Sequence, residues 1–111
     1  MGYCRAVRVG DHVFVAGTAP IMEDGADPPP DAYGQTRRCF EIIGKALADA
    51  GAGFEHVVRT RIYLARADAF EEVARAHGEV FGEIRPVNTT VVVSLIDPRW
   101  LLELDVEAVV A

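Results

Sequence analysis

The last quarter of the chain contains two short segments with the character of β-strands, the first apolar after a polar Asn-Thr-Thr start and the second alternating apolar and polar residues with a period of two. Residues 87–93 read Val-Asn-Thr-Thr-Val-Val-Val, and residues 101–108 read Leu-Leu-Glu-Leu-Asp-Val-Glu-Ala. We predict two strands joined by a tight connection. Side chains two residues apart share one face of a strand, so the second strand carries three carboxylates on one face, namely Glu103, Asp105 and Glu107.

The preceding residues predict two more strands, a helix, a strand and a second helix. A Gly-Asp pair at 10–11 separates strands 5–9 and 12–16 and favours a hairpin. Apolar residues at helical spacing predict a helix from about Asp31 or Ala32 to Ala50, and residues 58–64 alternate as a strand.

The second helix is expected to begin after Asp68 and to end at Gly82. Glu71 follows Asp68 by three residues, which resembles a capping box with aspartate as the cap. The order is therefore ββαβαββ. Both helices have one apolar side, so we predict an α+β fold with one sheet and both helices packed on one of its faces.

Such a sheet leaves its other face uncovered, and the two C-terminal strands are rich in apolar residues. The apolar residues in question are Val91, Val93, Leu102, Leu104, Val106 and Ala108. We expect self-association to bury the surplus, and we predict an oligomer.

Size and charge exclude several classes of function. With 111 residues, a single domain over 1–111 is expected. The net charge of −6 argues against a nucleic-acid partner. No apolar run reaches 18 residues, so a membrane span is not expected. Two cysteines are too few for a disulfide framework, and a reduced, cytoplasmic protein fits best.

Few residues have the pattern of a reactive site. The three carboxylates form either an ion-paired outer face, with Arg59 and Arg61 as partners, or a cleft in which Asp105 positions a water or a proton. His77 lies on an apolar helix stripe and is interpreted as a hydrogen-bonded core residue. No histidine has a partner at metal-ligand spacing, so we predict no metal site. Neither Cys4 nor Cys39 has the setting of an activated nucleophile.

The start of the strand at residue 87 is a second candidate site. Asn88, Thr89 and Thr90 follow Arg85-Pro86. They are interpreted either as a capped strand start or as a polar pocket wall, whose amide and hydroxyl groups hold a small ligand.

Several segments together resemble one known family across essentially the whole chain. They are Gly2–Ala6, Val9–Thr18, Gln35–Arg37, Val57–Leu64, Phe81–Glu83, Pro86 and Leu104–Ala108. In order and spacing the chain resembles the Rid superfamily, also called YjgF/YER057c/UK114. The resemblance implies a fold like that of chorismate mutase and a homotrimer whose sheets form an inner barrel, with three clefts between subunits.

The same resemblance implies an activity. Members of the best-known branch hydrolyse reactive enamines and imines to keto acids and ammonia, without a cofactor. In them an arginine after a Pro-Ala pair anchors the substrate carboxylate, and a glutamate in the last strand orients water. A tyrosine near the N-terminus and the backbone of a Ser-Gly-Gln segment complete the cleft.

Carried over to this sequence, the tyrosine is Tyr3, the Ser-Gly-Gln segment is Ala16-Gly17-Thr18, and the glutamate is Asp105. The arginine is Asn88, which offers no charged fork to a carboxylate. Arg5 or Arg85 is a possible substitute. Asp105 is the expected catalytic residue, and the expected substrate-binding set is Tyr3, Ala16, Gly17, Thr18, Arg85, Asn88, Thr89 and Glu107.

Two functions follow as hypotheses. The first is a Rid-type small-molecule hydrolase with an altered substrate, in which Asp105 steers water. The second is a non-catalytic trimer that binds a metabolite or a partner protein through the same cleft. A ribonuclease activity, also attached to this superfamily, is disfavoured by the acidic charge balance.

Overall fold

A computed structural model describes all residues from Met1 to Ala111. The element order is the predicted ββαβαββ. Single-turn 3-10 helices lie at Glu23–Gly25, Phe54–His56 and Ala67–Ala69. The strands are β1 (Ala6–Val9), β2 (His12–Thr18), β3 (Val57–Leu64), β4 (Val87–Val92) and β5 (Leu102–Val109), and the helices are α1 (Ala32–Asp49) and α2 (Phe70–Phe81).

The five strands form one mixed sheet in the order β1-β2-β5-β3-β4. Only the β3–β4 pair is parallel. The expected tight connection between the last two strands is therefore wrong, because β3 lies between β4 and β5 and pairs with both. The linking residues instead pass the end of β3, where Val93 N–H donates to Leu64 and Ala65 N–H donates to Leu101.

A buried glutamine holds this linking segment against the start of α1. Gln35 is 2% exposed. Its amide nitrogen donates to the carbonyls of Pro29 and Arg99, and its oxygen accepts from Leu101 N–H at 2.7 Å. Both amide hydrogens and the amide oxygen of Gln35 are therefore bonded, and they fix the segment that leads from the candidate site described below to β5.

The core lies between one sheet face and the two helices. Alternate residues of β5, from Leu102 to Ala108, are at most 1% exposed beneath the helices. The sequence had suggested that the apolar residues of β5 exceed what one protomer can bury. That expectation is wrong for four of them, because the core of the protomer itself buries Leu102, Leu104, Val106 and Ala108. Val91, on the edge strand β4, is still 42% exposed.

The two helices begin differently. Asp31 caps α1, and its carboxylate accepts from Gly34 N–H at 2.6 Å. The capping box expected at Asp68 is wrong. A 3-10 turn precedes α2, whose N-cap residue is Ala69, without a side-chain cap bond. Asp68 instead faces Arg66 at 3.2 Å, since the turn places it one position too early to cap the helix.

The sheet face away from the helices is polar along its middle and apolar toward its edges. β5 and β3 place Asp105, Glu107 and Arg61 there. Phe14 on β2 and Val91 on β4 are more than two-fifths exposed. None of the helices is both long and apolar enough to cross a membrane.

Candidate functional site

Asp105 is held by two donors from the neighbouring strand β3. Arg61 Nε donates to Oδ1 at 2.9 Å, and the Tyr63 hydroxyl donates to Oδ2 at 2.7 Å. The Arg61 guanidinium also lies 3.5 Å from Glu107. The Asp105 side chain is only 15% exposed, so the carboxylate is fixed in direction at the edge of solvent.

These contacts change the acidity of the two donors. The hydrogen bond to Asp105 raises the pKa of Tyr63, and burial adds to this. The same partner raises the pKa of Arg61. Because both shifts favour the protonated forms, both residues remain hydrogen-bond donors throughout the neutral pH range.

A β-bulge lies directly opposite Asp105. Val15 pairs with Val106 and Thr18 pairs with Leu104, so Ala16 and Gly17 together face one residue of β5. Such a bulge bends the strand and re-aims its backbone. A Cβ at Gly17 would overlap the Glu103 carboxylate as it is placed, so a larger residue here would require the Glu103 side chain to move.

Asp105, Glu103, Gly17 and Tyr63 line one open cavity of about 310 Å³. The linking segment 93–96 supplies its other wall, which is mainly apolar apart from Ser94. Glu103 makes no ion pair and no hydrogen bond in the protomer, whereas Arg61 on the same sheet face is bound to Asp105 and Glu107. We call this cavity the carboxylate half-site.

Asn88 lies on the opposite face of the sheet, next to the helices. Its amide nitrogen donates to the backbone carbonyl of Thr60 at 3.3 Å and to the Thr60 hydroxyl at 3.0 Å. Its amide oxygen accepts from the Thr90 hydroxyl at 2.8 Å. The Thr60 hydroxyl is in turn 2.9 Å from His77 Nε2. Four polar side chains thus form one chain from strand β4 to helix α2.

A second cavity, of about 190 Å³, lies over this chain. Asn88, Thr90 and His77 form its polar side. Ile62, Phe70, Val73, Ala74 and Gly78 complete it. We call this cavity the amide half-site. His77 is half-buried and its burial lowers its pKa, which agrees with its interpretation as a hydrogen-bonded core residue.

The other expected site residues are spread over the protomer. Tyr3 is 64% exposed before β1, and Arg85 is exposed with a φ of 57° after α2. Thr18 is fully buried, and its hydroxyl donates to Ala16. Thr89 is exposed beside Arg61 on the uncovered face. Only Gly17 and Asp105 of the expected set line the carboxylate half-site.

Arg5 reaches the bulge rather than either cavity. Its guanidinium donates to the Gly17 carbonyl at 2.7 Å, and its Nε is buried without a partner. Arg5 therefore supports the Gly17 backbone from the side of the helices, and neither Arg5 nor Arg85 lines the amide half-site.

Sequence reasoning missed two residues that shape the site, Tyr63 and Thr60, whereas it had placed Glu103 on the same strand face as Asp105. Tyr63 shares a period of two with Arg59 and Arg61, so strand periodicity places it on the Asp105 face. Thr60 shares the other face with Ile62 and Leu64 as a polar residue in an apolar row, and a buried hydroxyl requires a partner. No group of three or more potential metal ligands comes together in the protomer.

Comparison with known proteins identifies the family. The family model described as Endoribonuclease L-PSP matches residues 1–110. A solved structure from Mycobacterium tuberculosis, Rv2704 of the YjgF/YER057c/UK114 family, superposes with a TM-score of 0.88 at 42% identity, covering 97% of this chain and 86% of that one. The chain belongs to the Rid superfamily.

Two curated relatives extend this result. A Streptomyces coelicolor protein is 44% identical over 108 residues, covering 96% of this chain and 81% of its own length. The 3-aminoacrylate deaminase RutC of Acinetobacter baylyi is 30% identical over 103 residues, covering 92% of this chain and 82% of its own. The Rid resemblance read from the sequence is confirmed, and so is the chorismate-mutase-like fold of two helices on a mixed five-stranded sheet.

Proposed function

We propose that this Rid protein is a hydrolase of small imines or enamines that works in clefts between the subunits of a homotrimer. The observation that carries the proposal is the fixed Asp105 carboxylate, which lines an open cavity opposite a glycine bulge. A deaminase among the curated relatives supports this class of reaction.

The subunit arrangement follows from the position of the two half-sites. The amide half-site and the carboxylate half-site open on opposite faces of one sheet. One small molecule cannot reach both within a protomer. A cleft that uses Asn88 and Asp105 together therefore requires two copies of the chain, and a closed ring of three would form three such clefts.

In the proposed reaction, water adds to the carbon of a C=N bond. Asp105 accepts a hydrogen bond from this water and takes its proton as the C–O bond forms, while the π electrons of the protonated C=N bond move to nitrogen. Asp105 then returns this proton to the nitrogen of the carbinolamine, ammonia leaves as the C–N bond breaks, and the hydroxyl gives up its proton to leave the carbonyl product. Arg61 and Tyr63 hold the carboxylate in the required direction throughout.

The test is replacement of Asp105 by asparagine, which keeps the shape of the side chain and removes its basicity. Freshly generated imines, neutral and acidic, are mixed with protein, and ammonia release is compared with a no-protein control. We expect Asp105→Asn to lose about a hundredfold or more of the enzyme-dependent rate, the usual range for a general base. Glu41→Gln, on the exposed side of α1, removes the same charge and is the control. Equal turnover by the Asp105 variant would rule out this role.

A non-catalytic binding function is the alternative, and one observation favours it. Both oxygens of Asp105 already accept hydrogen bonds, as in a structural ion pair. Tight binding of a small molecule without ammonia release from any imine of the panel would support this alternative over hydrolysis.

We do not propose ribonuclease activity from the description of the family model. The chain carries a net charge of −6, and the uncovered sheet face places Glu103, Asp105 and Glu107 along its middle strand. A phosphate backbone requires a dense row of cations instead.

A further inference from the structure

The orientation of the Asn88 amide is fixed by a group that can only accept. The backbone carbonyl of Thr60 lies 3.3 Å from one end of the amide, so that end is the NH₂ group. The oxygen points away from Thr60 and accepts from the Thr90 hydroxyl at 2.8 Å. An amide oxygen has two acceptor sites, and one of them stays free.

The rest of the polar chain supports the same orientation. The Thr60 hydroxyl accepts from Asn88, and its own proton is available for His77 Nε2 at 2.9 Å. His77 is half-buried against Phe81 and Phe40, and its lowered pKa favours the neutral ring that accepts this proton. The chain therefore runs in one direction, from Asn88 through Thr60 to His77.

We propose that the amide half-site anchors a ligand nitrogen that donates hydrogen bonds, such as an ammonium or an iminium N–H on a short apolar chain, and not a carboxylate. This inference rests on the proposed function, because it names the substrate class of the same cleft. The group that binds the ligand nitrogen is Asn88 Oδ1, a hydrogen-bond acceptor. At this position the family resemblance implies an arginine, which is a cationic donor.

The remainder of the two half-sites agrees with a cationic ligand. Glu103 is an unpaired carboxylate in one cavity, while Arg61 is bound to Asp105 and Glu107. Apolar side chains suited to a short alkyl chain line both cavities: Ile62, Phe70 and Val73 in one, Val93, Leu95 and Ile96 in the other. An anion would meet the free acceptor site of Asn88 in the amide half-site and like charge in the carboxylate half-site, whereas an ammonium would meet an acceptor in each.

The experiment compares two unreactive probes of equal chain length, n-butylammonium and butyrate, by NMR titration of the full-length protein at neutral pH. We expect n-butylammonium to bind about tenfold or more tightly than butyrate, the size of one charge-assisted hydrogen bond. Asn88→Arg is expected to reverse this order. Equal affinities, tighter butyrate binding, or no binding of either probe would overturn the inference.

Further variants keep the test decisive if Asn88→Arg does not fold. Asn88→Ala removes the acceptor and should weaken n-butylammonium about tenfold, with little effect on butyrate. Glu103→Gln should also weaken n-butylammonium, whereas Glu41→Gln should not. An unchanged preference in both site variants would contradict the assignment of the two half-sites.

The outcome is separable from that of the proposed hydrolysis. These probes have no C=N bond and report equilibrium binding alone. A cationic preference without ammonia release would retain the inference and remove the catalytic role of Asp105. Ammonia release together with tighter binding of butyrate would retain the proposed hydrolysis and overturn the inference about the amide half-site.

Discussion

Asn88 and Asp105 lie on opposite faces of a single β-sheet, separated by strand β3. Asn88 is bound to Thr60 on the face that packs against the helices, whereas Asp105 is bound to Arg61 and Tyr63 on the uncovered face. This relationship divides the candidate cleft into two half-sites. It makes subunit association a condition of the proposed function.

Thr60 is expected to contribute more to stability than its size suggests. Thr60→Val keeps the volume but leaves His77 Nε2 without a partner and removes one of the two acceptors of the Asn88 amide nitrogen. The free energy of unfolding in urea should fall by about 1–3 kcal/mol, the cost of unsatisfied buried polar groups.

The matched control for Thr60 is Thr36→Val, because both threonines are fully buried. The Thr36 hydroxyl only donates to the carbonyl of Ala32 within α1, and its loss should cost less. Equal decreases in the free energy of unfolding of the two variants would contradict a special role for the hydrogen bonds that link Asn88, Thr60 and His77.

Tyr63 and Asp105 should be energetically coupled. A double-mutant cycle with Tyr63→Phe and Asp105→Asn is expected to give an interaction of about 1 kcal/mol in the free energy of unfolding, because the hydroxyl donates to a carboxylate that is only slightly exposed. Tyr33 offers a comparison, since its hydroxyl donates to Glu79 at the surface. The Tyr33–Glu79 cycle should show a smaller interaction, and the reverse order would contradict the prediction.

Stability should decrease as the pH falls below about 6.5, the ordinary pKa of histidine. Burial lowers the pKa of His77 in the folded protein, so the unfolded chain binds the proton more readily. The contribution of neutral His77 is therefore complete above this pH and is lost as the pH falls toward the lowered value.

The measurement is urea unfolding at several pH values from about one unit above to about 1.5 units below the ordinary pKa of histidine. His77→Gln should flatten the dependence, whereas His12→Gln, on the exposed end of β2, should leave it in place. If the pH dependence of the free energy of unfolding persists in His77→Gln, groups other than His77 cause it and the prediction is wrong.

The uncovered sheet face should be the surface of self-association. Phe14 is 44% exposed there, and Phe14→Asp is expected to shift a trimer toward monomers in light scattering after size exclusion. Phe14→Leu keeps the apolar surface and should remain associated. Circular dichroism checks that the helices and strands persist in both variants, and a monomeric wild-type protein would contradict the trimer.

Local patterns predicted most of the fold, because they depend on neighbours in sequence. The period of two on β3 and β5 and the Gly10-Asp11 turn each need only a few adjacent residues. The same local reasoning failed at Asp68, where one extra 3-10 turn moved the helix start beyond its reach. Local reasoning also predicted that β4 and β5 are joined directly, because they follow one another in sequence. It could not show that β3, an earlier strand, lies between them in the sheet.

By itself, the sequence determined the family, the order of the elements and the positions of Asn88 and Asp105 along their strands. Only the tertiary structure decided that Asn88 is bound by Thr60 and that Tyr63 and Arg61 converge on Asp105, because those partners lie 28, 42 and 44 residues away. The face on which each side chain acts is set by strand register and by which sheet face the helices cover. Strand register and helix placement are both determined by how all the elements together bury their apolar side chains in one core, and no single segment contains that information.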